Sequence, residues 1–110
     1  MKPEIKKVWL KALRSGKYRK GRNMLMYKEH GHKRYCCLGV LSELAVQQGV
    51  IKSFYGEEYV HRDKVAKWSG LRNYGKHTEH LQEMNDGLAD ALPARFKTFK
   101  TIANWIEKNL

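Results

Sequence analysis

The fold class is decided by Lys33-Arg34-Tyr35-Cys36-Cys37-Leu38-Gly39-Val40-Leu41, where a strand-like pattern changes into a helical one. Residues 33–36 are typical of the second strand of a hairpin, with its first strand predicted at 24–28 and its turn in Glu29-His30-Gly31-His32. One side of the helix that follows carries Cys37, Leu38, Leu41, Leu44, Ala45 and Gln48, and Gly49 ends it. A hairpin that leads directly into a helix predicts a mixed α and β fold.

The two ends of the chain carry the clearest helical patterns. Pro3 suits a first helical turn and Gly16 a C-terminal cap. The apolar stripe between them consists of Ile5, Val8, Trp9, Ala12 and Leu13. Near the other end Thr98 is a predicted cap, followed by a stripe of Phe99, Ile102, Ala103, Ile106 and Leu110. Each helix is therefore expected to bury one face against a core.

The middle of the chain is less regular. Tyr59-Val60 is predicted as a short strand, and a helix from Asp63 to Trp68 is closed by Gly70. Residues 71–80 are predicted as a loop, 81–84 as a strand, and Asn85-Asp86-Gly87 as a turn. A chain of 110 residues has the size of one domain. We predict a single small α+β domain, 1–110, with three to four helices packed on a small antiparallel sheet or hairpin.

Positive charge is concentrated in the first third of the chain. Residues 1–34 contain twelve Lys and Arg against two Glu, a net charge of +10, whereas residues 35–110 carry only +1. This asymmetry indicates a basic face and an anionic partner. No apolar run is long enough for a membrane span, the N-terminus lacks the apolar stretch of a signal peptide, and two adjacent cysteines favour a reducing compartment.

The best candidate for ligand binding is the basic loop 17–22, which follows Gly16 and contains a second glycine, Gly21. Its cations suit phosphate groups, its tyrosine ring suits a nucleobase, and its glycines let backbone amides approach an anion. The helix before it extends the basic surface. The predicted ligand-binding residues are Lys11, Arg14, Lys17, Tyr18, Arg19, Lys20 and Arg22.

Cys37 is the alternative candidate, as the nucleophile of a cysteine hydrolase. A thiolate is stabilised at a helix N-terminus, and a histidine base is needed nearby. The helical pattern, however, places Cys37 on the buried face. Histidines His30, His32, His77 and His80 have ligand chemistry for zinc, but their spacing matches no standard zinc module. We therefore predict no metal and no cofactor, and binding rather than catalysis.

Four segments together resemble a family of small proteins common in tailed bacteriophage genomes. They are Trp9-Leu10-Lys11-Ala12-Leu13-Arg14-Ser15-Gly16-Lys17-Tyr18, Tyr35-Cys36-Cys37-Leu38-Gly39-Val40-Leu41, Lys67-Trp68-Ser69-Gly70-Leu71, and Met84-Asn85-Asp86 followed by Phe99 and Ile102-Ala103. The resemblance implies a phage product acting in the cytoplasm of the bacterial host.

Small phage proteins of this kind often counter host defence. The basic loop then favours a sponge for a phosphate-bearing signal nucleotide. The alternatives are binding of DNA or RNA, inhibition of a host nuclease or another host defence protein, and the hydrolase above. The pocket of such a sponge often lies at a subunit interface, so the expectations include a homo-oligomer. No membrane partner is expected.

Overall fold

The computed structural model of the protein describes residues 1–87 and 97–110. Within these ranges the chain forms five helices and one three-stranded sheet. In chain order the elements are α1 (Pro3–Arg14), β1 (Arg19–Lys20), β2 (Met26–Glu29), β3 (His32–Tyr35), α2 (Cys37–Gln47), α3 (Asp63–Ser69), α4 (Lys76–Asp86) and α5 (Phe99–Asn109). The predicted α+β class is confirmed.

Helix α2 lies at the centre of the molecule. It is apolar around most of its circumference, as a helix surrounded by other elements should be. Its buried residues are Cys37, Leu38, Gly39, Val40, Leu41, Ser42, Leu44 and Ala45. On one side the contact is with backbone: a Cβ on Gly39 would lie 1.8 Å from the carbonyl oxygen of Leu25. Only glycine permits this approach.

Helix α1 packs against both α5 and α2, and α5 also packs against α4. Both α1 and α5 are amphipathic, but in α1 the predicted stripe was partly wrong: Val8 is exposed, and Leu10 is buried instead. Trp9 is fully buried, and its indole Nε1 donates a hydrogen bond to the Cys37 carbonyl at 3.0 Å. The hydroxyl of Thr98 accepts from the backbone N–H of Thr101, which confirms the predicted cap of α5. The apolar faces of α1 and α5 are thus part of the same core as α2.

The sheet has the strand order β1-β3-β2. Strands β2 and β3 form the predicted antiparallel hairpin, with His30 and Gly31 as its two turn residues, both at positive φ. The prediction was a small antiparallel sheet or hairpin; the hairpin is present, and β1 extends it by pairing with β3 in parallel, so the sheet is mixed. Residues 17–22 were predicted as a loop, and two of them, Arg19 and Lys20, form this short strand.

The main error in the middle of the chain concerns α4. Residues 71–80 and 81–84 were predicted as loop and strand, but 76–86 form one helix, so the described chain has five helices rather than three or four. The buried stripe of α4 is Thr78, Leu81 and Asn85, and two of these three are polar. This hides the helical period of hydrophobicity. Tyr59-Val60 is not a strand in the structure.

Candidate functional site

A shallow groove lies between β1, β3 and α2, and we call it the basic groove. Its volume is about 310 Å³, and it is lined by Lys17, Tyr18, Arg19, His32, Lys33, Tyr35, Glu43 and Gln47. Three side chains are cationic and one is anionic, so the lining carries a formal charge of +2 with His32 neutral. Lys17, Arg19 and Lys33 are exposed to solvent.

The parallel pairing of β1 with β3 assembles this groove. Arg19 is the register partner of Arg34, and Lys20 that of Tyr35. Gly16, at φ 75°, turns the chain out of α1 into this pairing. Arg19 is part of the groove lining, whereas Lys20 is not. Cations that are 14 residues apart in sequence are thereby brought to one surface.

Two tyrosine rings form a fixed wall of the groove. Tyr18 and Tyr35 meet edge to face, with ring centroids 5.3 Å apart and an interplanar angle of 89°. The side-chain amide of Gln47 donates to the Tyr18 hydroxyl at 3.1 Å. The Lys17 ammonium lies 5.9 Å from the centroid of the Tyr18 ring. Tyr18 is therefore held in place from both ends of its side chain.

Burial of the Tyr35 ring raises the pKa of its hydroxyl, and the negative charge of Glu43 raises it further. Glu43 itself lies on α2, one helical turn before Gln47. Among the residues that the structure describes, it has no ion-pair partner, although three cations line the same groove. The groove thus combines an excess of positive charge with one uncompensated carboxylate.

Four of the predicted binding residues lie outside this lining, and two of them, Lys20 and Arg22, belong to the segment 17–22. Lys20 is half-buried, and its ammonium donates to the Asn85 carbonyl at 2.5 Å. Burial lowers the pKa of Lys20. Arg22 is also half-buried and does not line the groove.

Lys11 and Arg14 line a different depression, between α1 and α5. It has a volume of about 460 Å³ and also contains Lys6, Lys7, Leu10 and Glu107. Arg14 donates to Glu107 Oε2 at 2.7 Å and to Asn104 Oδ1 at 2.9 Å, which joins the two helices. The predicted continuous basic surface is therefore divided into two separate concavities.

The cysteines belong to a buried contact region that we call the α2 junction, made of Gly21, Leu25, Cys36, Cys37, Gly39 and Asn85. Asn85 Oδ1 accepts from the backbone N–H of Cys37 at 3.1 Å, and its Nδ2 donates to the Gly21 carbonyl at 3.0 Å. The backbone N–H of Cys36 donates to the Leu25 carbonyl at 3.1 Å. Asn85, which the sequence placed in a turn, is 1% exposed and satisfies groups from two other segments.

Neither thiol at the α2 junction is in the environment of a reactive nucleophile. Cys37 begins α2, as predicted, but it is 1% exposed and its Sγ lies 3.9 Å from the Leu81 carbonyl oxygen. Burial raises the pKa of Cys36 to about 12, and it raises the pKa of Cys37 well above the ordinary thiol value. Desolvation thus outweighs the helix N-terminus, which alone would favour the thiolate.

A larger concavity of about 840 Å³ lies where residues 49–53, 58–64 and 73–74 meet. Buried His61 lies on its wall, and its Nε2 is 2.7 Å from the Leu71 carbonyl oxygen. Its other ring nitrogen, Nδ1, is buried with no hydrogen-bond partner in the described chain, as is Oδ1 of Asn73. Burial lowers the pKa of His61. No sequence motif indicated this concavity, because its residues come from three irregular segments.

Sequence reasoning missed five residues of the basic groove, namely His32, Lys33, Tyr35, Glu43 and Gln47. The basic character of 32–35 was visible in the sequence, but its parallel pairing with β1 was not. Glu43 and Gln47 are four residues apart in the predicted helix, and this spacing puts them on one face. This shared face was the only feature of the sequence that could have identified the two residues. The local sequence does not indicate that the face contacts Tyr18.

In residues 1–87 and 97–110, no group of three or more His, Cys, Asp or Glu side chains is placed to hold a metal ion. No helix in these same ranges combines the length and apolar composition needed to span a membrane. The whole chain, residues 1–110, matches the sequence profile of DUF8296, a domain of unknown function, and the protein belongs to that family. No curated protein and no solved structure matches the chain.

Proposed function

We propose that this protein binds a phosphate-bearing nucleotide in the basic groove and does not transform it. The observation that carries the proposal is the convergence of Lys17, Arg19 and Lys33 beside a fixed pair of tyrosine rings. Three exposed cations at one concave surface attract a phosphate group, and the aromatic wall suits the planar part of the same ligand.

The dimensions of the groove support a small ligand. Its volume of about 310 Å³ is at the lower end of the range of small-molecule sites, roughly 300–1,000 Å³. Tyr18 is held by Tyr35 and Gln47 before any ligand arrives, so little ordering is required on binding. The burial of both thiols supports binding over cysteine chemistry.

The biological role we propose is interference with host defence by a phage product in the bacterial cytoplasm. It depends on the resemblance of four sequence segments to small phage proteins and on the ligand chemistry of the groove. A protein that sequesters a signal nucleotide needs affinity and abundance but no catalytic group. The cations and the tyrosine rings of the groove support the first of these requirements.

The test is a melting-temperature screen against a panel of cyclic nucleotides, nucleoside triphosphates and ADP-ribose derivatives. At 100 µM, about a hundredfold excess over a micromolar Kd, a binding nucleotide stabilises the protein by about 2.7 kcal/mol and raises the melting temperature by several degrees. The double variant R19A/K33A should abolish the shift. The control K100A/K108A removes two exposed charges from α5 and should retain it. The proposal is abandoned if the whole panel leaves the melting temperature unchanged.

A second candidate function is binding of single-stranded or duplex nucleic acid. The observation that favours it is the second cationic depression, where Lys6, Lys7 and Lys11 lie on α1. Several phosphate contacts would make the affinity fall by orders of magnitude between about 50 and 200 mM salt. Affinity for an oligonucleotide that is measured at both salt concentrations and changes little would rule out this candidate.

The third proposal is that the protein binds a host defence protein directly. A basic face complements an acidic surface on another protein and speeds association with it. Its signature would be a stoichiometric complex with a host enzyme in the absence of any nucleotide, broken by charge reversal at Lys17 or Arg19.

A further inference from the structure

Glu43 is the one lining residue of the basic groove that opposes binding of an anion. Its carboxylate repels phosphate, and in the described chain it is not neutralised by an ion pair. Gln47, one turn later on the same helix face, donates its amide to the Tyr18 hydroxyl. A groove for a simple anion would gain affinity if Glu43 were neutral. The carboxylate is therefore best explained by a ligand that also carries hydrogen-bond donors.

We infer that Glu43 makes the basic groove selective for guanine nucleotides. This inference rests on the proposed function, because it assigns the base of the nucleotide whose phosphates contact Lys17, Arg19 and Lys33. The two oxygens of a carboxylate accept two parallel N–H bonds. Guanine is the standard base whose Watson–Crick edge offers two adjacent donors, the ring N1–H and the exocyclic amine.

The cations that would contact the phosphates and the carboxylate that would contact the base come from different elements of the groove. The cations come from the 17–19 segment and β3, whereas Glu43 lies on α2. The half-buried ring of Tyr18, which buried Tyr35 supports edge to face, is part of the same lining, and an aromatic ring is a suitable surface for a planar base. Adenine offers a donor beside an acceptor on the corresponding edge, so one carboxylate oxygen would face a ring nitrogen lone pair.

The experiment is a set of calorimetric titrations with GTP, ITP, ATP and inorganic pyrophosphate in magnesium-free buffer. The wild-type protein should bind GTP at least about tenfold more tightly than ATP, since a bidentate pair commonly discriminates by that much or more. ITP keeps N1–H but lacks the exocyclic amine, and should bind more weakly than GTP. Pyrophosphate reports the phosphate contacts alone.

The decisive variant is Glu43→Gln, which keeps the size of the side chain but removes its charge. The ratio of GTP to ATP affinity should fall toward one, while pyrophosphate binds as well as or more tightly than to the wild type. The matched control is Glu57→Gln, which removes an exposed charge outside the groove lining and should leave the ratio unchanged. Melting temperatures of both variants show that they are folded.

The outcomes separate this inference from the proposed function. Pyrophosphate and all three nucleotides binding with equal affinity would overturn the guanine inference and leave nucleotide binding standing. A GTP preference that survives Glu43→Gln would also overturn it, because the selectivity would then arise elsewhere. Binding of none of the four probes would overturn both proposals.

Discussion

The α2 junction and the basic groove lie on either side of Tyr35, and they are opposite in physical character. In the junction, glycine is required by backbone contact, thiols are buried, and Asn85 satisfies a backbone N–H and a backbone carbonyl. In the groove, Lys17, Arg19 and Lys33 are exposed, and Glu43 has no ion pair among the described residues. The polar groups of the junction are hydrogen-bonded to one another, whereas the charged side chains of the groove face solvent.

This difference shows which of the two distinctive motifs is structural. The Cys-Cys-Leu-Gly segment, residues 36–39, has the residue types of a catalytic site, but its backbone contacts and hydrogen bonds hold three segments together. The basic segment 17–19 has ordinary surface residues, and its side chains face solvent at a concave surface. Substitutions in the two regions should consequently affect different measurements, stability in one and ligand binding in the other.

The largest effect should come from Gly39→Ala. The added Cβ would lie 1.8 Å from the Leu25 carbonyl oxygen, so α2 or the segment before β2 must move. Overpacking of this kind costs about 3 kcal/mol, because a backbone carbonyl cannot rotate out of the way as a flexible side chain can. The free energy of unfolding in urea should fall by at least that amount, or the variant should fail to fold. The control Gly75→Ala meets only ordinary contacts, 3.7 Å from the Arg72 carbonyl oxygen, and should cost less than about 1 kcal/mol.

The next effect should come from Asn85→Ala. It leaves the backbone N–H of Cys37 and the carbonyl of Gly21 without their partner in a buried region. Two buried unsatisfied groups cost at least about 2 kcal/mol together, which urea unfolding would measure. Asn109→Ala, which loses an exposed bond to the Trp105 carbonyl, should change stability by less than about 0.5 kcal/mol. Equal effects of the two variants would show that Asn85 is not the connection we describe.

A smaller effect concerns the thiols. Because both cysteines are buried and their pKa values are raised, iodoacetamide should alkylate them at least about tenfold more slowly in the folded protein than in urea. A cysteine introduced by Ser53→Cys at an exposed position provides the control within the same sample. Rapid modification of Cys37 in the native state, located by peptide mass spectrometry, would restore the hydrolase hypothesis.

The smallest effect should be the pH dependence caused by His61. Burial lowers the pKa of this ring in the folded state, opposed by the Leu71 carbonyl and by the charge of Asp63. The unfolded chain therefore binds more protons, so stability is highest above pH about 6.5 and falls as the pH drops below it. Urea unfolding between pH 7.5 and 5.5 should show this fall, and His61→Asn should remove it, whereas exposed His30→Asn should not. If His61→Asn shows the same pH dependence of the free energy of unfolding as the wild type, that dependence arises from other groups.

The sequence predicted those elements whose hydrophobic period is unbroken. Helices α1, α2 and α5 begin and end close to their predicted caps, because their apolar stripes and their Pro, Gly and Thr signals agree. Helix α4 escaped prediction because Thr78 and Asn85 replace apolar residues on its buried face. Thr78 is satisfied by the Arg72 carbonyl just before the helix, and Asn85 by Cys37 and Gly21 from distant segments, which no local pattern reveals.

The candidate site was predicted in part for the same reason. Lys17, Tyr18 and Arg19 were identified from local composition, and they line the groove. Lys20 was grouped with them, but its ammonium donates to the Asn85 carbonyl and it does not line the groove. Lys33 and Glu43 join the groove through the parallel β1–β3 contact and the packing of α2. These long-range contacts are not encoded in the spacing of residues along the chain.

The most direct test of the central claim is amide chemical-shift mapping of the ¹⁵N-labelled protein titrated with GTP and, separately, with pyrophosphate. We expect the amides of 17–20, 32–35 and 43–47 to shift with GTP, and pyrophosphate to affect mainly the first two segments. The amides of Gly39 and Asn85 at the α2 junction should stay in place. Shifts centred on 37–41 and 81–85, or no shifts with either ligand, would contradict the account.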